Sequence, residues 1–432
     1  MKKVDVLIVG GGLAGLSAAL HLKGEYLIAE AKERVGGLAV SEVFDGSVFD
    51  VTGHWLHLRQ ERTKELVNRL AGSRLKSYSR RAYILSHKKL VNYPFQANLG
   101  DLGPELASEL ATSAFRAACR KLRESGSTAK NFKDFSVMHF GEGITREFIE
   151  PYNSKLWGVP IEEVTSTWCD RFVPVPDPED IIRGAIRPLG QSMGYNATFL
   201  YPSPEGIEVL AQALFRKLDP SRVLLNTPVV GVDENTHEAL LGDGTRVRYD
   251  WLINTAPLKD FSLMLSELPD QLRREARGLR ASRLVYAIGT VQGEELAGDA
   301  QWIYVPEKDI PIYRFGIPSN VDRGLARKGV SSFYAEFVPD TELDEAGALE
   351  AVEALLERLG EQGRRIEALG IRKVPYGYVI FDQYRDSAVL NLKAYLKKHN
   401  ILSIGRFGAW TYNAMEDALA DGMEAAERIH NE

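Results

Sequence analysis

The run VDVLIVGGGLAGLSAALHLK, Val4 to Lys23, constrains the fold more than any other stretch of this chain. Val4 to Val9 is apolar apart from Asp5, rich in β-branched residues and bounded by glycine, which predicts a strand buried on both faces of a parallel sheet. Residues 13 to 23 carry apolar side chains at helical spacing, and the join between strand and helix reads G-G-G-L-A-G. Gly10, Gly12 and Gly15 thereby complete G-x-G-x-x-G in the strand-turn-helix setting that the motif requires. Glycine permits the tight turn, lets backbone approach a pyrophosphate and brings helix against strand. The helix N-terminus adds unpaired N–H groups and the positive end of its dipole. A second strand is expected in EYLIAE, ending on Glu30, where a carboxylate would accept hydrogen bonds from ribose hydroxyls. The plain alternative is a glycine-rich structural turn; the strand before it and the helix after it favour a dinucleotide site.

A chain of 432 residues, 44% hydrophobic, is too long for one small core and suggests two or three domains. The net charge of -6 provides no broad basic field, so nucleic acid is not an expected partner, although a local basic pocket is compatible with it. Cys119 and Cys169 make neither a metal-ligand pattern nor a disulfide framework; a reducing compartment and no metal are expected. MKKVDVLIVGGG runs straight into the first strand without a cleavage region, and no stretch is long enough to span a bilayer, so the expectation is a soluble, cytoplasmic protein. The sequence sets no oligomeric state.

Further along, Glu30-Ala-x-x-Arg34-Val-Gly36-Gly37-Leu resembles the second fingerprint of the flavoprotein group that includes monoamine oxidase, protoporphyrinogen oxidase and UDP-galactopyranose mutase. Paired glycines let the chain lie close to a cofactor while Arg34 reaches a phosphate. TPVVGVDE followed by LGDGTRVRYDWLINTAP reads as strand, hairpin turning at Asp243-Gly244, and strand. In the flavoprotein group such a unit passes beside the adenine, which implies a backbone contact at Val230. ILSIGRFGAW predicts a buried strand ending at Gly405, and residues 415 to 430 a helix whose start would face the flavin pyrophosphate, with Arg406 as side-chain contact. The fold class expected is therefore α/β: a discontinuous Rossmann-like FAD-binding domain drawn from residues 1–60, 205–260 and 395–432. A mainly helical insertion, 61–150, and an antiparallel-sheet substrate domain, 151–204 and 261–394, complete it. Within them, 283 to 338 read as strands, while helices at 345 to 362 and 386 to 398 flank a strand near 369 to 381.

The intervening segments resemble the UDP-galactopyranose mutases, in order along most of the chain. YPFQANL is similar to that family's Y-P-F-Q-x-N segment, which implies uridine contacts from Tyr93 and Gln96. FIEPYNSKLWGVP, Phe148 to Pro160, is similar to its F-x-x-P-Y-N-x-K-x-W segment: Phe148 would stack on the uracil, and Asn153 and Trp157 would fix the nucleotide. Taken alone, those rings read equally as core. The resemblance also implies diphosphate contacts from Arg171 (in WCDRFV), Tyr304 and Arg314, and from Tyr378 and Tyr412, since a diphosphate suits guanidinium forks beside neutral donors. Singly, each has an ordinary reading as a surface ion pair or a half-buried tyrosine. His54, in GHWLH, matches the loop whose backbone lies by flavin N5, whereas His57 reads as structural. Asn196, in YNATFLYP, implies a sugar or loop contact, with an Asx turn as its plain reading.

By this resemblance the cofactor is FAD in its reduced form, primed by a reductant such as NAD(P)H. N5 acts as nucleophile on the anomeric carbon of a UDP-linked sugar, with no net redox change and with Arg171, Arg314 and His54 as catalytic residues. One departure stands out. After Tyr412 the chain reads NAMEDAL, where eukaryotic mutases carry a longer loop and bacterial ones place Asp at the position of Ala414. The alternative is an amine or protoporphyrinogen-type oxidase, which would take hydride from its substrate and use an apolar or aromatic-cage cavity with no need for the two arginines.

Overall fold

The computed structural model describes residues 1–123, 128–190 and 197–432, with the side chains of Asp170 and Arg171 outside the description. Its first sheet runs Val229–Asp233, Glu238–Leu241, Arg246–Asn254, Lys2–Val9, Tyr26–Ala29, Val223–Leu224, and Ile401–Ser403 joins alongside Arg246–Asn254. The long Arg246–Asn254 strand serves two neighbours on one side, Glu238–Leu241 near its start and Ile401–Ser403 near its end. Lys2–Val9 lies parallel to Arg246–Asn254 and to Tyr26–Ala29, which places Val9 opposite both Asn254 and Ala29. The carboxyl ends of four strands from remote parts of the chain thus meet at one edge, where ligands bind in parallel α/β sheets.

Helix Leu13–His21 comes after the first strand and packs on the C-terminal helix Met415–Asn431. Gly422 makes that approach close: a Cβ there would lie 2.5 Å from the Ala14 carbonyl oxygen. The Ser17 hydroxyl donates to the Leu419 carbonyl across the same contact, at 2.7 Å. The chain's two ends are therefore locked together beside the glycine turn.

The second sheet has the order Ile366–Val379, Ala281–Gln292, Val330–Phe337, Ile312–Gly316, Trp302–Tyr304, Ala82–Ser86, Lys89–Asn92. It is antiparallel except where Trp302–Tyr304 runs parallel to Ala82–Ser86. All eight residues of Val330–Phe337 are buried, and helix Glu345–Arg358 covers the sheet with Ala348, Val352 and Leu355. Two of the seven strands, Ala82–Ser86 and Lys89–Asn92, come from the stretch expected to be mainly helical. Their two-residue turn is His87-Lys88, both at positive φ (51° and 61°). Glycine or asparagine usually marks such a turn, so the sequence carries no hairpin signal there. Helices do dominate from residue 104 to 157: Pro104–Arg123, Phe132–Ile144 and Glu150–Trp157, with a π-helical turn over Thr145–Ile149.

Candidate active site

One side of the site is made of backbone. Gly10 has φ +98° and ends the first strand; a Cβ on Gly15 would lie 2.1 Å from the Gly10 carbonyl oxygen, so helix and strand meet only because that residue is glycine. Gly36 and Gly37, at φ +118° and +66°, form a second turn that lies beside the first through a bridge between Gly12 and Gly36. A Cβ on Gly12 would meet nothing closer than the Gly37 Cα, at 3.7 Å. The two glycine turns line a cradle that side chains would fill, which fits a dinucleotide laid against the helix start. Glu30 is buried at the end of its strand and accepts hydrogen bonds from the N–H groups of Gly11 at 2.6 Å and Lys32 at 2.8 Å.

Beside this cradle, Lys32, Glu33, Arg34, Gly37, Val40 and Asn226 line a cavity of about 410 Å³. Arg34 is committed within the protein: Nη1 donates to the Ser41 carbonyl and to Glu208 Oε2, each at 3.0 Å. Val230 is half exposed on the Val229–Asp233 strand.

Side chains build the other side, and their connection to the cradle is short. Gly405, at φ +75°, brings its turn onto the first helix, where a Cβ would lie 3.0 Å from the Ala14 Cβ. The next residue, Arg406, donates to the Asn413 and Gly377 carbonyls at 2.9 and 3.1 Å. Its guanidinium carbon stands 5.2 Å from the Tyr378 ring and 4.8 Å from the Tyr412 ring, and those rings stack on each other 5.8 Å apart. Arg314 reaches the same place from the second sheet, donating from Nη2 to the Tyr378 hydroxyl at 3.1 Å.

Arg314 is not free. Glu336, with no exposed surface, accepts from its Nε and Nη2 at 2.7 Å each and from the Tyr313 hydroxyl at 2.6 Å. This fork leaves Nη1 as the guanidinium nitrogen without a partner among the described residues. Burial pushes the Tyr378 hydroxyl up to about 12 against the opposing pull of Arg314, so it keeps its proton and can donate. His54 is driven down to about 4, chiefly by burial, with Arg406 and Arg314 adding to the effect, and is neutral at pH 7. Both guanidiniums therefore act on His54, and the potential there is positive.

The aromatic wall continues from this cluster. Trp157 lies 5.7 Å from Tyr378 and 6.3 Å from Tyr412, edge to face, and its buried indole N–H makes no hydrogen bond among the described residues. Tyr304 packs on Tyr93 at 5.3 Å, on Tyr152 at 5.0 Å and on Phe148 at 6.5 Å. Phe148 itself stacks on Phe95 and Tyr152 and is 4% exposed, so its ring faces are occupied by protein rather than open as a platform for a base. The Asn153 amide donates to Ile149 O within its own helix, and the Gln96 amide donates to Pro174 O.

His54, Tyr93, Phe148, Trp157, Tyr304, Arg314, Tyr378, Arg406 and Tyr412 thus belong to one contiguous cluster. Arg171 sits in the short helix Cys169–Phe172, and its side chain lies outside the described residues, as does Asn196 altogether. His57 faces the Thr198 carbonyl at 3.0 Å. Sequence reasoning missed Glu336, Tyr313 and Tyr152. A signal for the first was present: one acid inside the eight-residue strand VSSFYAEF must be paired if that strand is buried.

Residues 13–294, more than half of the chain, match the family described as flavin containing amine oxidoreductase. The chain belongs to this family. The resemblance to its flavoprotein group, the α/β fold and the flavin cofactor stand accordingly. Coproporphyrinogen III oxidase of Bacillus subtilis (strain 168) is 24% identical over 295 residues, covering 62% of this chain and 63% of that protein, so the match spans less than two thirds of this curated relative. A reduced UDP-galactopyranose mutase structure superposes with a TM-score of 0.91 at 24% identity, over 99% of this chain and 96% of the other. Putrescine oxidase bound to putrescine gives 0.68 at 16% identity, over 100% and 99%. These likenesses establish a shared fold. Among the described residues no helix is long and apolar enough to cross a membrane, and no His, Cys, Asp and Glu group is arranged to hold a metal ion.

Proposed function

We propose that the chain rearranges a nucleoside diphosphate sugar of the UDP-galactopyranose/furanose type, as a flavin-dependent mutase without net redox change. The observation that carries this reading is the charge placed against the tyrosine pair. From the three distances among Tyr378, Tyr412 and the Arg406 guanidinium carbon, the midpoint between the rings lies about 4 Å from that carbon. A substrate ammonium held there would meet a repulsion of about 4 kcal/mol at an effective dielectric of about 20, against a cation–π gain of about 0.5–2 kcal/mol. A phosphoryl oxygen at the phenol O–H edges of the pair, beside the same guanidinium, meets attraction where the ammonium meets repulsion. The rings are also too close: an amine between two aromatic faces needs about 7 Å, twice a van der Waals contact.

When bound in its reduced form, FAD would supply a nucleophilic nitrogen toward the anomeric carbon, with NAD(P)H as a suitable reductant to prime it. The protein's part is to hold the diphosphate while it is detached. Tyr378 and Tyr412 offer neutral O–H donors, Arg314 its Nη1, and Trp157 its unmet N–H, while Arg171 is assigned to the same anion from its sequence motif. Tyr93, Gln96, Asn153, Tyr304 and Asn196 are assigned to the nucleotide and sugar, with Phe148, its faces taken by Phe95 and Tyr152, packed behind Tyr304, and the packed rings exclude water. His54, neutral at pH 7, does not compete for the diphosphate as a cation.

The test is direct. Dithionite-reduced protein is incubated with UDP-galactofuranose and the sugar nucleotides are separated chromatographically; UDP-galactopyranose is expected. The second reading, an oxidase, is favoured by the family match and by the coproporphyrinogen oxidase likeness. Absence of isomer together with peroxide release from an amine or a porphyrinogen would establish it instead.

A further inference from the structure

Lys155 is the one named position of the F-x-x-P-Y-N-x-K-x-W segment, besides its proline and tyrosine, that has no task in the proposed mutase site. It sits on helix Glu150–Trp157, between Asn153 and Trp157. Its ammonium meets no carboxylate. Nζ donates to three backbone carbonyls: Val305 at 2.7 Å, Glu307 at 2.9 Å and Ile312 at 2.7 Å. An ammonium has three donors, so each is used.

Two acceptors, Val305 and Glu307, lie in the connection between strands Trp302–Tyr304 and Ile312–Gly316, and the third, Ile312, opens the second of these strands. Those strands pair with Tyr304 opposite Arg314. Val305 comes directly after one of these residues, and Ile312 precedes the other by two. On the outer side of the turn, Glu307 and Asp309 are held by Arg358 of the covering helix. Burial lowers the Lys155 ammonium to about 7, against the opposing pull of Asp309 and Glu307. The Lys155 nitrogen is thus held away from water where three carbonyls converge, instead of being left at the surface where lysine is usually found.

We propose that Lys155 is a positioning residue that fixes the 304–314 hairpin, and with it Tyr304 and Arg314, against the helix carrying Asn153 and Trp157. Its link to ligand rests on the proposed mutase function; the clamp itself rests on geometry alone. Losing the ammonium takes the side-chain donor from all three carbonyls, of which the Glu307 one keeps the Ile310 N–H, so the hairpin opens locally before the rest of the sheet.

The experiment uses FAD-loaded protein and the variant Lys155→Met, with Lys155→Gln in reserve where Met gives no soluble protein. A control, Val209→Ala, removes buried side chain from helix Glu208–Phe215, in a core cluster with Ala71 and Ala213 that holds no residue of 302–316, and serves to match the loss of thermal stability. Hydrogen exchange in peptides covering 302–316 should accelerate about tenfold or more in the lysine variant and stay unchanged in the control. UDP affinity, read from the flavin spectrum, should fall about fivefold or more in the lysine variant alone, with flavin content retained. Unchanged exchange over 302–316 overturns the clamp whatever ligand the protein takes. Faster exchange with unaltered UDP affinity, or an equal affinity loss in Val209→Ala, overturns its connection to the site. A native protein that binds no UDP refutes the proposed function instead, and the exchange result still decides the clamp.

Discussion

Glu336→Gln tests the charge arrangement of the site at its most buried point. Glu336 has no exposed surface and takes three donors, the Tyr313 hydroxyl and two nitrogens of Arg314. Glutamine keeps the shape but offers one acceptor oxygen, and its NH2 would face donors. The guanidinium is left about four-fifths buried, since its side chain is 20% exposed, and without a counter-charge. Removing one partner of such a pair costs about 3–5 kcal/mol. With an unfolding entropy near 2.1 cal/mol/K per residue, a cooperative transition of this length loses about 1 °C per kcal/mol, so the midpoint should drop by roughly 3–5 °C. UDP should then recover part of the loss, because the freed guanidinium can give the phosphates a charge-assisted hydrogen bond of about 1.5–3 kcal/mol, a Kd tighter by about tenfold or more. Differential scanning fluorimetry with and without UDP reads both effects. A midpoint within about 1 °C of the native protein would refute the buried pair, and weaker UDP binding would refute the idea that Glu336 competes with the ligand for Arg314.

Gly12→Ala and Gly15→Ala should separate cofactor binding from folding. A Cβ at Gly12, whose φ of -74° any residue adopts, meets no protein atom within 3.7 Å, so the variant should fold normally yet lose flavin retention on gel filtration. At Gly15 the Cβ would strike the Gly10 carbonyl, and both flavin and about 1–3 kcal/mol of stability in urea should be lost. Trp157→Phe removes an indole N–H that makes no hydrogen bond, so apo stability should hold while UDP affinity, measured calorimetrically, falls by about tenfold. His54 is held neutral down to about pH 4 in the fold, whereas an unfolded imidazole takes its proton near 6.5. Its contribution is whole above pH 6.5 and is lost as the pH falls through that window toward 4, so His54→Gln should flatten urea midpoints between those values.

How much the sequence disclosed depended on what each part of the site is made of. The glycine turns were legible because backbone geometry demands glycine: the positive φ at Gly10, Gly36 and Gly37 and the contact beneath Gly15 admit little else. The strand and helix bounds around them came from periodicity. Pairings between side chains were not legible. Arg34 read as a phosphate ligand, but a carboxylate 174 positions away, Glu208, holds it. Arg314 read as a diphosphate contact or a surface ion pair, and is forked by the buried Glu336 from the neighbouring strand. Phe148 read as a uracil platform by resemblance and as core on its own, and only the packing showed that Phe95 and Tyr152 take its faces. The hairpin at 82–92 escaped because His87 and Lys88 adopt turn angles that their residue types do not advertise.

The same division bears on which residues decide the reaction. The family match covers residues 13–294 and so includes Gly15, the second glycine turn at Gly36 and Gly37, the Glu30 strand end and the helix with Trp157. Tyr304, Arg314, Tyr378, Arg406 and Tyr412 all lie beyond it. A backbone cradle recognises a dinucleotide independently of the reaction it serves, because it offers N–H groups and space and no selective side chain. Selection between an ammonium and a diphosphate requires a sign of charge, and among the described residues the guanidinium here that is bonded to carbonyls and to no carboxylate is Arg406, on the turn after the Ile401–Ser403 strand, whereas Arg314 on the second sheet is paired with Glu336. Membership of the family therefore accounts for the flavin, while the cluster beyond residue 294 must account for the substrate, and exchanging those charges should change what is bound without disturbing the cofactor.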